Sequence, residues 1–381
     1  MKCINCGAPL EDKNAIFCQK CYQQALADRN KTNDLPEQQN EKLQPSADKG
    51  GRKKKNKKTV RNILLSVAAV LLILILIPTF WISSLFGKIK RGNLSSNLGI
   101  AEGSDLPFTE DVKNIALYGL DTRANDTGGR SDAILILSID RIHKSIKLTS
   151  IARDSYIQFE NGKHDKITHA WAYGKANLAL KTLNRNFKMD ITDYVTVNFY
   201  QFSSIIDYIG GVEIDVSEAE MKVMNKEYVP YLNDLGIRCD YIKEPGMQLL
   251  NGGQALAYAR NRYTGGDVAR GERQRKVLEA MYQKAKKISP LKAPKLVEMI
   301  FSECTTSLSN KEMLSIGLWA MTNSPDVKTT GVPNEQCPSH GEMIKGTSYV
   351  VYDLNEASKY IHKFIYTDGE ETSNAAVTEK K

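Results

Sequence analysis

The sequence predicts an α/β fold, a central mixed β-sheet flanked by helices, set behind a small cysteine-rich module and one membrane-spanning helix. Three observations predict it. Short β-rich runs alternate with helical periodicity beyond about residue 113. An uncharged apolar stretch runs from Asn62 to Gly87. Four cysteines stand as two CxxC pairs near the N-terminus. With 381 residues and 41% hydrophobic composition, the chain can bury a substantial core, which excludes a disordered or fibrous class.

The cysteine pairs are CINC and CQKC, at Cys3, Cys6, Cys18 and Cys21. Two thiolates per knuckle and four in all complete the closed tetrahedral shell that Zn²⁺ takes in structural sites, so residues 1–24 read as a short zinc ribbon. Residues 25–61 are polar and basic, a flexible tether. A spanning helix needs about 20 apolar residues, and residues 62–86 supply them, with Trp81 as an interfacial anchor. Arg52, Lys53, Lys54, Lys55, Lys57, Lys58 and Arg61 precede this segment, whereas only Lys88, Lys90 and Arg91 follow closely. The basic excess marks the cytoplasmic side. The expected location is therefore the cell membrane, single-pass, with a cytoplasmic N-terminus and an extracellular C-terminal domain. A reducing compartment disfavours disulfides among the first four cysteines. The ribbon would dock a cytoplasmic protein partner or serve only as a stable plug.

The formal net charge of +8 is concentrated early in the chain. Residues 1–62 hold 14 Lys and Arg against 7 Asp and Glu, which leaves 38 against 37 beyond them. Nucleic-acid binding by the main domain is excluded on that balance, since it needs a basic surface on the folded unit.

Outside the membrane, residues 87–112 read as a stalk. Strands are expected at 114–118, 133–139, 146–151, 194–199 and 212–216, and helices at 168–187, 199–209 and 270–288. Residues 113–290 form the main domain on this reading. Residues 291–367 pack on it, with helical stretches at 292–323 and 355–366 and a strand near 347–353, and residues 368–381 form a tail. Cys239, Cys304 and Cys337 are an odd set, expected as buried small hydrophobes.

Asp and Arg recur where strands meet loops: Asp121 and Arg123, Arg130 and Asp132, Arg153 and Asp154. Carboxylates so placed bind a hard cation, and guanidiniums bind phosphate oxygens bidentately. Further on, Arg260 and Arg262 close a short helix, and Asp267, Arg270, Arg273 and Gln274 follow across a glycine-containing loop. Seven arginines at element ends would repel one another unless an anion held them, which points to a pyrophosphate and its metal. Singly, Arg262 or Arg273 is equally well read as pairing with Glu272 or Asp267. No HExxH or GxSxG motif occurs.

Seven ordered blocks, NIALYGLDTR, GRSDA, SIARDSYI, KITHAWAYG, DYIGGVEIDV, GMQLLNGGQALAYARNRY and GDVARGERQRKVLEAM, resemble the LytR-CpsA-Psr (LCP) cell-wall ligases from about Asn114 to Met281. The resemblance implies an LCP-like α/β/α ectodomain with 113–290 as its catalytic domain. It also implies a phosphotransferase joining an undecaprenyl-pyrophosphate-linked glycopolymer, of teichoic acid or capsule type, to the C6 hydroxyl of peptidoglycan N-acetylmuramic acid. By the same resemblance, Asp121 and Asp132 would hold Mg²⁺. Arg123, Arg130, Arg153, Arg260, Arg262, Arg270 and Gln274 would bind the pyrophosphate, joined by Arg273 from the arginine cluster. Asp267 would be the base, with Asp154 as the alternative proton acceptor. An apolar tunnel for the lipid tail would be lined by helices 168–187 and 199–209. Ala152 and Ala133 stand where the family usually has Pro and Thr. Two rival readings use the same phosphate cradle: a non-catalytic membrane regulator or scaffold that binds lipid-linked polymer, and a lipid pyrophosphate hydrolase.

Overall fold

The computed structural model describes residues 84, 86–100, 102–103, 106–121, 129–289 and 291–367. Cys3, Cys6, Cys18 and Cys21, the tether, nearly all of the apolar segment at 62–86, Arg123 and the tail at 368–381 lie outside the described residues. Among the described residues no helix is long and apolar enough to cross a membrane.

Strands β1 (Lys90–Arg91), β2 (Val112–Leu120), β3 (Ser131–Asp140) and β4 (Ser145–Ile151) are followed by the short pair β5 (Tyr156–Gln158) and β6 (His164–Lys166), then helix α1 (His169–Phe187). Next come β7 (Asp193–Asn198), α2 (Phe199–Tyr208), β8 (Val212–Val216) and α3 (Glu218–Val223). A π-helical turn (Met224–Tyr228) leads into α4 (Val229–Asp234), β9 (Gly246–Leu250), α5 (Gly252–Arg260), α6 (Gly266–Ala285) and α7 (Ala293–Glu303). The chain continues through β10 (Thr305–Thr306), α8 (Asn310–Asn323), β11 (Asp326–Val332), the hairpin β12 (His340–Ile344) and β13 (Thr347–Val351), and α9 (Leu354–Tyr366).

Seven described strands form one mixed sheet in the order β1-β10-β7-β2-β3-β4-β11. β2 runs antiparallel to β3 and parallel to β7, and β4 runs parallel to β11. Period-two alternation assigns the two faces. Ala116, Tyr118, Ile134 and Ile136 bury against Leu180, Leu183 and Phe187 of α1 and Ile361 and Ile365 of α9. Ile115 and Ile139 turn the other way, toward Leu308 and the Trp319 face of α8. On that second side a further apolar cluster joins Ile206, Val212, Leu232, Leu256 and Val277, tying α2, β8, α4, α5 and α6 into a lobe.

Each of the expected strands is present within a residue or two. Four expectations are corrected. The helical stretch at 292–323 is two helices separated by β10, because Thr306 gives its hydroxyl to Tyr194 O at 2.7 Å and joins the sheet, and Ser309 then starts α8 with a reciprocal cap to Glu312. The stalk at 87–112 is packed against the domain in part, since Ile89, Leu98 and Val112 are buried and β1 pairs with β10. The helix expected at 270–288 begins four residues earlier and ends at Ala285, because Gly265 and Gly266, with φ of +81° and +74°, make the turn that starts it. Residues 291–367 also do more than pack on the main domain, because they contribute β10 and β11 to the central sheet. Cys239, Cys304 and Cys337 are buried and none is in a disulfide, as small hydrophobes would be.

Candidate active site

β2 aims the first acidic residue. Its register with β3 slips between Gly119 and Leu120, and a Cβ on Gly119 would lie 2.9 Å from that of Ala133, so only glycine lets the two strands approach there. A bulge of this kind re-aims the side chains that follow it. Asp121 then gives its backbone N–H to Arg130 O at 3.0 Å. That hydrogen bond draws Asp121, Arg130 and Asp132 to one sheet edge. At the next strand end Arg153 donates to Asp132, and its Nε is 3.6 Å from Asp154 and 4.0 Å from Asp267.

The second group comes from the lobe. Asn251 caps α5 reciprocally with Gln254, and the helix ends on Arg260. Tyr228, on the π-helical turn, donates to Arg260 O at 2.8 Å and accepts from the Arg262 backbone N–H at 3.2 Å, which fixes the exit of α5. The Arg260 guanidinium lies 3.9 Å above the Phe199 ring centroid and 5.1 Å from that of Tyr231, with Nη1 3.6 Å from Asp121. Asn198, at the end of β7, caps the helix that carries Phe199. From α6, Arg270 pairs with Asp267, and Gln274 Nε2 reaches Asp132 O at 3.5 Å.

These residues meet in one cavity of about 540 Å³. Asp121, Arg130, Asp132, Arg153, Arg260, Arg262, Arg270 and Gln274 line its polar end. Its other walls are Leu117, Leu135, Val195 and Val197 of the sheet, Phe199, Phe202 and Ile205 of α2, Leu256 of α5, Leu278 and Met281 of α6, and Ile300 at the end of α7. A charged head therefore adjoins an apolar chamber, and the composition of the walls assigns a ligand with both characters.

Electrostatics favour an anion at the polar end. Burial pulls the Arg270 guanidinium below its ordinary value, against the pull of Asp267. Arg153 goes the other way: burial opposes its charge, but Asp132, Asp154 and Asp267 outweigh it. Arg260 Nε and Nη1, Arg153 Nε and the Tyr118 hydroxyl are buried without a hydrogen-bond partner among the described residues. Such donors on cavity-lining groups are suited to phosphate oxygens.

Asp121 and Asp132 meet the test for a hard cation in chemical type. Burial raises the Asp121 carboxyl above its usual range, Arg260 lowers it, and the like charge of Asp132 raises it again. A cation between the two would relieve that repulsion. Mg²⁺ is commonly held by one or two carboxylates together with phosphate oxygens and water, and Asp121 and Asp132 are carboxylates of that type. Among the described residues no group of three or more His, Cys, Asp or Glu gathers that could hold a metal ion.

Several expected residues are placed elsewhere. Arg273 does not line the cavity: it is 5% exposed, and it donates to Glu220 at 2.6 Å, Asn261 O at 2.8 Å and Thr264 O at 2.6 Å, so it braces the loop behind Arg262. Asp267 and Asp154 sit just behind the arginines, off the cavity wall, with Asp154 also 3.3 Å from Lys166. Asp267 instead lines a neighbouring groove of about 680 Å³ with Ala152, Arg275, Thr329, Thr330 and Gln336. Helix α1 lies on the opposite face of the sheet and contributes nothing to the apolar chamber, which of the two expected helices uses only α2. Tyr228, Tyr231 and Phe199 were missed by sequence reasoning, and no local motif marks them. The π-helical turn that carries Tyr228 is visible only in the backbone.

Residues 88–364 match the LytR_cpsA_psr family. Among curated relatives, the polyisoprenyl-teichoic acid–peptidoglycan teichoic acid transferase TagT of Bacillus subtilis (strain 168) is 26% identical over 285 residues, covering 71% of this chain and 85% of the relative. TagU of Enterococcus faecalis (strain ATCC 700802 / V583), a transferase of the same name, is 31% identical over 255 residues, covering 65% and 76%. The solved structure of TagT bound to LI-WTA is similar with a TM-score of 0.57 at 25% identity, over 73% of this chain and 98% of that one. Matched along nearly the whole described region and built around the same sheet, the chain belongs to the LytR_cpsA_psr family.

Proposed function

We propose that the chain is a membrane-anchored phosphotransferase that joins a polyprenyl-pyrophosphate-linked glycopolymer to a hydroxyl of peptidoglycan, the C6 hydroxyl of N-acetylmuramic acid. The carrying observation is the single cavity with arginines at one end and an apolar chamber behind them. A pyrophosphate seats in the first and a polyprenyl tail in the second. Curated relatives that transfer teichoic acid to peptidoglycan support the reading.

Phosphoryl transfer asks a protein mainly to align the reactants and neutralise charge. Arg260, clamped between two rings and held at its backbone by Tyr228, presents fixed donors to the phosphates. Arg153 and Arg270 add charge at the same polar end, and Gln274 Nε2 donates to Asp132 O at 3.5 Å. Asp121 and Asp132 would hold Mg²⁺, which when bound would offset charge on the pyrophosphate oxygens. Asp267 is ordered by Arg270 and open to the neighbouring groove, so the acceptor hydroxyl would approach along that groove and give its proton to Asp267. Its oxygen then bonds the phosphorus that carries the polymer, and polyprenyl phosphate leaves.

In the same reading Cys3, Cys6, Cys18 and Cys21 hold one Zn²⁺ in the cytoplasm, residues 62–86 span the membrane, and the domain lies outside. Reporter fusions after residue 45 and residue 370 test the sidedness, and the reverse pattern would remove peptidoglycan as acceptor. The activity is tested by incubating the purified full chain with a polyprenyl-pyrophosphate-linked polymer and a soluble peptidoglycan fragment. A polymer–peptidoglycan phosphodiester that needs Mg²⁺ is the expected product. Free polymer phosphate alone would make the protein a hydrolase, and tight donor binding with no turnover would make it a regulator.

A further inference from the structure

Helix α8 is apolar on two sides. Met313, Ile316 and Trp319 pack against the sheet, yet Leu314, Leu318 and Met321, spaced to share one stripe, are 43%, 54% and 80% exposed. Across β10, Leu291 before α7 and Ile300 within it are also exposed, at 93% and 37%. An apolar stripe left exposed on a helix whose other apolar side is already packed marks an interaction surface.

What covers this patch is indicated by where the uncharged run at 62–87 joins the domain. Directly after that run, Lys88 pairs with Glu298 of α7 at 2.6 Å, and β1 pairs with β10. Arg91 bonds Leu308 O and Asn310 Oδ1, at the start of α8. The chain leaving the apolar run is thus clamped to α7 and α8. Exposed Lys292 stands at the start of α7, Lys295, paired with Glu298, within it, and Lys311 in the first turn of α8, and basic residues beside an apolar surface suit acidic headgroups. Ile300 and Cys304 also line the apolar chamber. We propose that α7 and α8 form a bilayer-docking surface, with Leu314, Leu318 and Met321 set into the lipid interface, so that the chamber receives a polyprenyl chain from the membrane without its crossing water. The proposal rests on the reading of the chain as a membrane-anchored, polyprenyl-using enzyme.

Three exposed methionines supply the test. Met321 is 80% exposed, while Met247 on β9 and Met343 on β12 are 70% and 67% exposed and lie on other elements. The full chain is placed at one copy per nanodisc containing an anionic phospholipid and footprinted with hydroxyl radicals. Oxidation of Met321 is expected to be at least about fivefold slower than that of Met247 and Met343, as membrane burial of a thioether would make it. Equal rates for all three would overturn the proposal. Protection appearing only in discs that hold two copies would overturn it too, assigning the stripe to a second copy of the chain. A second measurement uses Leu318→Glu with Met321→Glu, both at exposed positions off the catalytic cavity. Transfer from a long polyprenyl donor embedded in the disc should fall about fivefold or more, while transfer from a short, water-soluble prenyl donor is unchanged. Equal loss with both donors would overturn the docking role. If the parent transfers neither donor, the enzymatic reading fails, and the footprint alone still decides whether the face meets the bilayer.

Discussion

At the scale of single residues, the arginines divide by what they touch. Arg262 lines the cavity and its side chain is exposed toward the rim, whereas Arg273 has each of its nitrogens bonded to Glu220, Asn261 or Thr264. Arg262→Ala should therefore weaken donor binding about tenfold or more with little change in melting temperature, as loss of a charge-assisted phosphate contact does. Arg273→Ala takes the charge partner from half-buried Glu220, which keeps its bonds to Ser217, and takes the donors from Asn261 O and Thr264 O, so it should cost about 1–3 kcal/mol of stability. Calorimetry of the two variants with a donor titration separates them, and a stable Arg273→Ala protein would contradict the bracing role. Asp267 is the sharper case. If it accepts the proton, Asp267→Asn should lower turnover about 100-fold while donor affinity holds, because the arginines remain. Turnover within threefold of the parent would shift the role to Asp154. The sequence brought twelve residues to attention through strand-end Asp-Arg pairs and the cluster from Arg260 on; eight of them line the cavity, Asp154, Asp267 and Arg273 do not, and Arg123 lies outside the described residues. It did not separate Arg273 from its neighbours, because its partner Glu220 is 53 residues away and only the fold brings them together.

At the scale of elements, the central sheet contains a charge that its hydrophobic pattern does not announce. Lys147 on β4 is 0% exposed and donates to Asp140 of β3 at 2.9 Å and to Ile365 O of α9 at 2.6 Å, so one ammonium joins two strands and the last helix. Burial alone would raise the Asp140 carboxyl, but the backbone N–H and ring of His143 and the Lys147 ammonium outweigh it and hold the group below the usual carboxylate range. A depressed folded value means that the group stabilises the fold above its unfolded pKa of about 3.9, and that this stability is lost as pH falls through the lower folded value. Asp140→Asn should lower stability by about 3–5 kcal/mol at neutral pH and flatten the acid limb of melting temperature against pH. An acid limb identical to the parent's would show that the pair does not control it. The strands themselves were legible, since Ile115, Ile134, Ile136 and Ile139 alternate or cluster as sheet residues do. β10 and β11 were not. Thr305–Thr306 is too short to show a period, and Asp326–Val332 reads as polar because its hydrogen bonding to β4, more than its side chains, places it in the sheet.

At the scale of the whole molecule, the cavity lies between two apolar clusters, with sheet strands on one side and α2, α5 and α6 of the lobe on the other. A ligand that fills it touches both and binds the folded chain alone, so its binding free energy adds to folding stability. At about 100 times the dissociation constant that gain is roughly 2.7 kcal/mol. Undecaprenyl pyrophosphate should therefore raise the melting temperature of the purified chain by several degrees. Inorganic pyrophosphate, which fills only the arginine end, should give a much smaller shift at the same concentration. Replacing Val195 by Asp places a charge on the apolar wall beside Leu117, further along β7 from Asp121 and the arginine end than Val197. It should abolish the lipid-dependent part of the shift and leave the pyrophosphate part intact, because a buried carboxylate beside a hydrocarbon chain has no partner to offset its desolvation. Equal shifts from the lipid and from inorganic pyrophosphate would mean that the apolar chamber takes no part in binding. The cavity would then hold a phosphate site alone, and the tail would have to lie outside it.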